Sequence, residues 1–143
     1  MKREQVLFVC TGNSARSQMA EALLRVLAGK RFGICSAGLE LKGVHPFTIL
    51  VLRELGIETG TLYSKELEEF LGRTDIDYLI TVCSDAEQNC PTTVLPNAQR
   101  LHWEIEDPAA FKGSLEESMH KFREVRDLIK VRVDEWVTQE FKT

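Results

Sequence analysis

Hydrophobic and polar residues fall into alternating blocks along the chain, with the periods expected of strands and helices. Short apolar runs bounded by glycine or polar residues predict strands, and apolar residues three to four positions apart predict helices. The pattern predicts strands at 6–9, 32–36, 76–82 and 100–103, and helices at 17–28, 47–55, 64–71 and from 115 onward. Strands that alternate with helices indicate an α/β fold, with a mostly parallel sheet covered on both faces.

Several helix boundaries carry recognisable signals. Pro46 suits the first position of the second helix, and Ser64 is expected to cap the short third one. Gly29 and Gly56 are expected to end the first and second helices, with Gly56 in the left-handed conformation. We find no internal repeat, linker or low-complexity segment, so residues 1–143 are predicted to form a single domain.

The last helix has the clearest pattern. Ser114 and Glu117 have the spacing of a capping box, in which each side chain binds the other residue's backbone N–H. A stripe of apolar residues follows at helical spacing, and we interpret it as a face buried in the core. The stripe comprises Leu115, Met119, Phe122, Val125, Ile129, Val133 and Trp136. On the first helix, the predicted buried side comprises Met19, Ala20, Leu23, Leu24 and Leu27.

Composition and charge narrow the function classes. A net charge of −4 disfavours nucleic-acid binding, which requires a basic face. The chain has no long apolar stretch and begins with the charged residues at 2–4, so we expect no signal peptide, no membrane span and a cytoplasmic location. Structural disulfides are rare in that compartment, so the four cysteines are expected to be free thiols, metal ligands or redox groups.

The stretch VLFVCTGNSARS places a cysteine where the first strand ends and an arginine where the first helix begins. Backbone N–H groups in such a loop can turn inward and hold a tetrahedral oxyanion, aided by the positive end of the helix. Arg16 can bind two oxygens, and Ser17 can hydrogen-bond the Cys10 sulfur and favour the thiolate. The candidate oxyanion-binding set is Thr11, Gly12, Asn13, Ser14, Ala15, Arg16 and Ser17. The alternative is an ordinary buried cysteine beside a surface arginine.

Two further cysteines, Cys83 and Cys90, follow the third predicted strand. They are not spaced as zinc ligands, no histidine lies between them, and recruiting Cys10 would consume the nucleophile, so no metal site is predicted. If an oxyanion bound to Cys10 can accept two electrons, a second thiol can release the reduced product and a third can carry the disulfide outward. The alternative is a pair of ordinary buried cysteines.

The loop resembles the signature loop of the low-molecular-weight tyrosine phosphatase superfamily. That resemblance implies a three-layer α/β sandwich whose four-stranded parallel sheet is flanked by helices. It extends to Asp107 and Pro108, since the family's general acid is an aspartate before a proline in a distant loop. By resemblance Asp107 takes that role, although an Asp-Pro pair by itself is typical of a turn.

The loop, the C-x6-C pair and Asp-Pro together resemble the thioredoxin-coupled arsenate reductases over essentially the whole chain, including SAG at 36–38 and HW at 102–103. By that resemblance Cys10 attacks arsenate, Asp107 protonates the departing oxygen and Cys83 attacks Cys10 as arsenite leaves. Cys90 then attacks Cys83, and thioredoxin reduces the resulting disulfide. The resemblance implies no bound cofactor, arsenate and thioredoxin as partners, and a monomer. Cys35 has no role in this scheme and is assigned to the core of the second strand.

One departure from the family concerns potassium, which lies beside the loop in some of these reductases. Asn13, Glu21 and Ser36 match positions of that site, but Tyr63 and Lys65 stand where relatives supply a hydroxyl and a carboxylate. We hypothesise that the Lys65 ammonium replaces potassium, pairs with Glu21 and steadies Asn13. The alternative is that Lys65 points into water.

Two other functions fit the same loop. A phosphotyrosine phosphatase is one, but such enzymes place aromatic residues after Asp-Pro, where this chain has Ala109 and Ala110; weak phosphatase activity is expected as a side reaction. An oxyanion-sensing or thiol-redox binding protein is the other, although binding alone needs no proton donor such as Asp107. The three histidines, His45, His102 and His120, are assigned no catalytic role.

Overall fold

The computed structural model describes residues 3–83 and 95–140. Its helices and strands are β1 (Glu4–Cys10), α1 (Arg16–Ala28), β2 (Phe32–Gly38), α2 (Pro46–Arg53), β3 (Tyr78–Thr81), β4 (Gln99–His102) and α3 (Leu115–Glu140). Two short 3₁₀ turns span Leu67–Phe70 and Pro108–Ala110. In the ranges described, no helix is both long enough and apolar enough to cross a membrane.

The four strands form one parallel sheet in the order β2-β1-β3-β4, which confirms the predicted α/β class. Every residue from Val6 to Cys10 is buried, so both faces of the central strand β1 are covered. In the register of the sheet, Cys10 is paired with Gly38 and Val9 with Thr81. The carboxyl ends of β1 and β3 therefore lie side by side at one edge of the sheet, and the first residues after each strand are neighbours.

The long helix α3 packs across the core through the predicted stripe. Trp136 contacts Phe32, Tyr78 and Trp103, with ring centroids 5.2–6.3 Å apart. The capping box is present at its start, where the backbone N–H groups of Ser114 and Glu117 bind each other's side chains.

Two apolar positions were assigned wrongly to buried helix faces. Leu115 is 73% exposed because the 26-residue helix α3, about 39 Å long, extends past a sheet whose longest strands have seven residues. Leu27 is 48% exposed because the buried side of α1 continues from Leu24 to Ala28 in the last turn.

The predicted helix at 64–71 is wrong. A 3₁₀ turn, Leu67–Phe70, forms instead, and its N-cap is Glu66 rather than Ser64. The chain before it is held extended, since the Gly38 N–H donates to the Lys65 carbonyl at 2.8 Å and Gly38 forms an isolated parallel bridge with Glu66. Ser64 serves the site described below, because its hydroxyl donates to the Asn13 carbonyl at 2.8 Å.

Other boundaries differ by a few residues. β2 continues to Gly38 because its last residues pair with the end of β1, and β3 is confined to Tyr78–Thr81, where it pairs with both neighbours. The helix α2 ends at Arg53, two residues before the predicted end. Gly56 has a φ of 75°, the left-handed conformation expected of it.

Candidate active site

The loop between Cys10 and Arg16 is held from outside through its carbonyl groups. Four of these carbonyls accept hydrogen bonds from backbone N–H groups of the segment after β2, at 2.8–3.3 Å. The pairs, donor first, are Leu39 with Cys10, Glu40 with Thr11, Lys42 with Gly12, and His45 with Ser14. The segment after β2 therefore runs alongside the loop and turns its carbonyls outward. Because successive carbonyls point outward, the loop can turn its N–H groups toward an oxyanion above Cys10.

Asn13 is the residue on which the curl of the loop depends. Its φ is 49°, the left-handed region that asparagine tolerates better than most residues, and its side chain is fully buried. The amide nitrogen donates to the hydroxyls of Ser17 and Ser36 at 2.8 and 2.9 Å, while Oδ1 accepts from the Lys65 N–H and from Gln18. These bonds offset the cost of the unusual backbone conformation.

Gly38 lets β2 approach this loop closely. A Cβ at this position would lie 2.8 Å from the Asn13 nitrogen and 2.9 Å from the Thr11 carbonyl oxygen, distances that real Cβ atoms do not show. The glycine of the SAG segment is therefore required by the packing of strand against loop.

Cys10 lies at the base of the pocket. It is 2% exposed, and its sulfur lies 2.8 Å from the Ser17 hydroxyl, the contact expected from the sequence. Ser17 stands in the first turn of α1, so the sulfur is also close to the positive end of that helix. The sulfur therefore lies between a hydroxyl group and the end of a helix, surroundings in which nucleophilic cysteines are found.

Arg16 and Asp107 come together across the mouth of the pocket. Their closest side-chain atoms are 3.7 Å apart, and the other arginine nitrogen donates to the Ile105 carbonyl at 3.2 Å. The Asp107 carboxylate also accepts the Ala109 N–H at 2.9 Å, so the aspartate caps the turn at Pro108–Ala110. The arrangement places a carboxyl group at the entrance to the cavity above Cys10 and leaves it 40% exposed.

The pocket is small. Its volume is about 70 Å³, space for a few water molecules or one small tetrahedral oxyanion. The lining residues are Cys10, Thr11, Gly12, Ser14, Ala15, Arg16, Lys42, Asp107 and Ala109.

The second cysteine lies beside the same loop. Cys83 follows β3, is buried, and has its sulfur 3.4 Å from the Thr11 hydroxyl. The adjacency of β1 and β3 brings this thiol to the loop. Cys90 lies outside the described residues.

Cys35 lies in β2 as predicted, but it is only partly buried and packs against the core instead of lying within it. Burial raises the pKa of its thiol above the ordinary value. A raised pKa makes a thiol less reactive. In the part of the chain that the structure describes, no three histidine, cysteine or acidic side chains are grouped as metal ligands.

Lys65 does not point into water. It is 4% exposed, its ammonium lies 3.5 Å from a Glu21 carboxylate oxygen, and it donates to the Tyr63 carbonyl at 2.7 Å. Glu21 also accepts from Ser36 at 2.6 Å and from Arg25 at 2.7 Å. The predicted pairing of Lys65 with Glu21 is present, directly behind Asn13.

Sequence reasoning missed two residues of the site, Gln18 and Lys42. The Gln18 amide nitrogen donates to the Asn13 carbonyl at 3.2 Å and to the Asn13 side-chain oxygen Oδ1 at 3.0 Å. Its position in the first turn of α1, beside the loop, is the one feature of the sequence that could have indicated these contacts. Lys42 and the segment around it carry no local motif. Their contact with the loop follows from the register of β1 and β2.

Comparison with known proteins agrees with this geometry. Residues 5–143 match the family described as low molecular weight phosphotyrosine protein phosphatase. The chain belongs to this family. An arsenate reductase of Oceanobacillus iheyensis is 38% identical to it, over 93% of this chain and 94% of that protein.

Solved structures of arsenate reductases are similar to this chain over almost its whole length. An arsenate reductase in a phosphate-binding state is 33% identical with a TM-score of 0.79, covering 95% of this chain and 98% of the other. A thioredoxin-dependent arsenate reductase of Corynebacterium glutamicum is 29% identical with a TM-score of 0.68, covering 97% of this chain and 62% of that one.

Proposed function

We propose that the chain is a thioredoxin-coupled arsenate reductase that uses Cys10, Cys83 and Cys90 in sequence. The observation that carries the proposal is the position of Cys83, buried against the loop that surrounds Cys10. A phosphatase needs the loop, the arginine and the acid, but it needs no second thiol there. The similarity of the chain to arsenate reductases, one of them thioredoxin-dependent, supports the same activity.

The first step uses the oxyanion pocket. The Cys10 thiolate attacks the arsenic atom of arsenate, so a sulfur–arsenic bond forms and an arsenic–oxygen bond breaks. Arg16 and the loop N–H groups hold the remaining oxygens. Asp107, at the pocket mouth, is the general acid that gives a proton to the departing hydroxyl group, which leaves as water.

The second step is the reduction. The Cys83 thiolate attacks the Cys10 sulfur, forming a disulfide and breaking the sulfur–arsenic bond. The electron pair of that bond stays on arsenic, which leaves as arsenite. Cys90 then attacks the Cys83 sulfur and releases the Cys10 thiolate, and the thioredoxin dithiol reduces the Cys83–Cys90 disulfide.

A coupled assay tests this proposal. NADPH consumption is followed with arsenate, thioredoxin and thioredoxin reductase for the wild type and for Cys83→Ser, Cys90→Ser and Cys35→Ser. We expect arsenate-dependent oxidation of NADPH that is lost in the first two variants and kept in Cys35→Ser, the matched control. Normal cycling of Cys90→Ser would contradict the three-thiol relay.

Aryl phosphate hydrolysis by the same preparations separates the reductase from the alternatives. We expect slow hydrolysis that Cys10→Ser abolishes and that Cys83→Ser and Cys90→Ser retain. Fast hydrolysis without NADPH oxidation would make the chain a phosphatase. Arsenate binding with neither reaction would make it an oxyanion-binding protein.

A further inference from the structure

Lys42 is fixed at the edge of the oxyanion pocket by its own backbone. Its N–H donates to the Gly12 carbonyl at 3.1 Å, so its Cα lies beside the loop. Its side chain runs across Gly12: a Cβ on that glycine would lie 3.1 Å from the Cγ and Cδ atoms of the lysine. The first part of the side chain is therefore packed in place, although the residue as a whole is exposed.

The Lys42 ammonium has no anionic partner among the residues described. Other lysines near the site are paired, as with Lys65 on Glu21 and Lys121 on Glu106 and Glu124. Lys42 instead contributes to the lining of the cavity above Cys10.

The charges of the other groups around the pocket indicate what the Lys42 ammonium contributes. Arg16 lies 3.7 Å from the Asp107 carboxylate, so its charge is shared before any ligand arrives. A doubly charged oxyanion therefore meets, besides the loop N–H groups and the positive end of α1, one guanidinium that is already paired with a carboxyl group. A second cation at the rim adds to the attraction for the dianion.

We propose that Lys42 is an oxyanion-binding residue of this site, whose ammonium contacts the oxygens of an arsenate or phosphate dianion that Arg16 does not hold. The assignment rests on the proposed function for its substrate, arsenate. Oxyanion binding itself is independent of the redox relay. An ammonium group at the rim acts mainly on substrate binding and leaves the chemistry at Cys10 to Arg16 and the loop.

The test compares Lys42→Met, which keeps the packed stem, with Lys42→Arg, which keeps the charge. Lys30→Met, which removes an exposed lysine in the turn after α1, is the matched control. Inorganic phosphate is used to protect Cys10 from iodoacetamide, with the labelled Cys10 peptide quantified by mass spectrometry. We expect the half-protecting phosphate concentration to rise about five- to twentyfold in Lys42→Met, and to stay within about twofold of the wild type in the other two.

Steady-state arsenate reduction provides the second measurement. The KM of Lys42→Met for arsenate is expected to rise by a similar factor at low ionic strength, with kcat within about twofold. Equal phosphate protection in Lys42→Met and the wild type overturns the assignment. If the wild type binds phosphate but never reduces arsenate, the proposed function fails, while the phosphate measurement still decides the role of Lys42.

Discussion

At the scale of single residues, Ser17 links the nucleophile to the residue that shapes the loop. The Asn13 amide nitrogen donates to the Ser17 hydroxyl, because Oδ1 of the same amide is occupied by the Lys65 N–H. A hydroxyl that accepts from Asn13 directs its own proton toward the Cys10 sulfur, 2.8 Å away. A hydroxyl that donates to sulfur is the partner that a nucleophilic Cys10 requires, and its removal tests this role.

Replacing Ser17 by alanine removes that bond and leaves the Asn13 amide short of an acceptor. A hydrogen bond to a charged group contributes about 1.5–3 kcal/mol, so we expect Cys10 alkylation by iodoacetamide near neutral pH to slow about tenfold to a hundredfold. Ser118→Ala, which alters a serine on α3, is the control. Equal alkylation rates in Ser17→Ala and the wild type would show that the hydroxyl does not stabilise the thiolate.

The contacts of Lys65 lead to a second prediction for a single residue, that the reaction rate does not depend on potassium. Its ammonium already contacts the Glu21 carboxylate and the Tyr63 carbonyl, oxygens that a potassium ion at this position would need. We expect the same steady-state rates in sodium and potassium buffers of equal ionic strength. Clear activation by potassium would rule out replacement of the ion by the lysine.

The same contacts predict that replacing Lys65 lowers the free energy of unfolding. Lys65→Met leaves Arg25 as the partner of the buried Glu21 carboxylate. Breaking a buried ion pair costs about 3–5 kcal/mol, and the remaining arginine reduces the expected loss to about 1–3 kcal/mol. Urea unfolding of Lys65→Met, with Lys30→Met as control, measures it. No loss would mean that Arg25 and the Ser36 hydroxyl together satisfy Glu21 without the lysine.

At the scale of elements, the start of α2 depends on a neutral histidine. His45 is the N-cap, and its Nδ1 accepts the Phe47 N–H at 3.0 Å, which a doubly protonated ring cannot do. Burial among Phe47 and Phe122 lowers the His45 pKa below its ordinary value, although the nearby Asp107 carboxylate opposes the shift. The positive end of the helix also disfavours the imidazolium.

A lowered pKa sets the sign of the pH dependence. The unfolded chain takes up the His45 proton first, so this stabilisation is complete above about pH 6.5 and is lost as the pH falls toward the folded-state value. We expect a smaller fall in the free energy of unfolding between pH 7 and 5 for His45→Asn, which caps without titrating, than for the wild type. His120→Gln, on an exposed part of α3, should follow the wild type. Parallel profiles for His45→Asn and the wild type would contradict the dependence on His45.

The elements also show what could be predicted from the sequence. Local signals predicted the order of strands and helices, the capping box at Ser114 and the left-handed Gly56, because each depends on neighbours within a few residues. The extended chain at Lys65 and the contact of Lys42 with Gly12 could not be predicted, because both depend on residues more than twenty positions away. The oxyanion loop was predictable because its strand, curl and helix are consecutive, whereas the position of Cys83 required the order of the sheet.

At the scale of the whole molecule, the oxyanion loop contacts segments from several parts of the chain. It is held by the segment after β2, by the chain around Ser64 and by Arg16 through the Ile105 carbonyl. The loop and Arg16 surround a pocket of about 70 Å³ that a dianion would fill. Occupying the pocket should therefore stabilise the entire domain, since unfolding would release the ligand.

Phosphate should accordingly raise the melting temperature without being turned over. At a phosphate concentration 100 times Kd, the gain in free energy is about 2.7 kcal/mol, which for a chain of this size corresponds to roughly 5–10 °C. Differential scanning calorimetry with phosphate, against chloride at equal ionic strength, measures the shift. Arg16→Lys keeps a charge but loses the two-pronged geometry, so it should need more phosphate for the same shift. If phosphate raises the melting temperature no more than chloride does, the oxyanion does not stabilise the pocket. The protein contacts around the loop then hold the loop in shape by themselves.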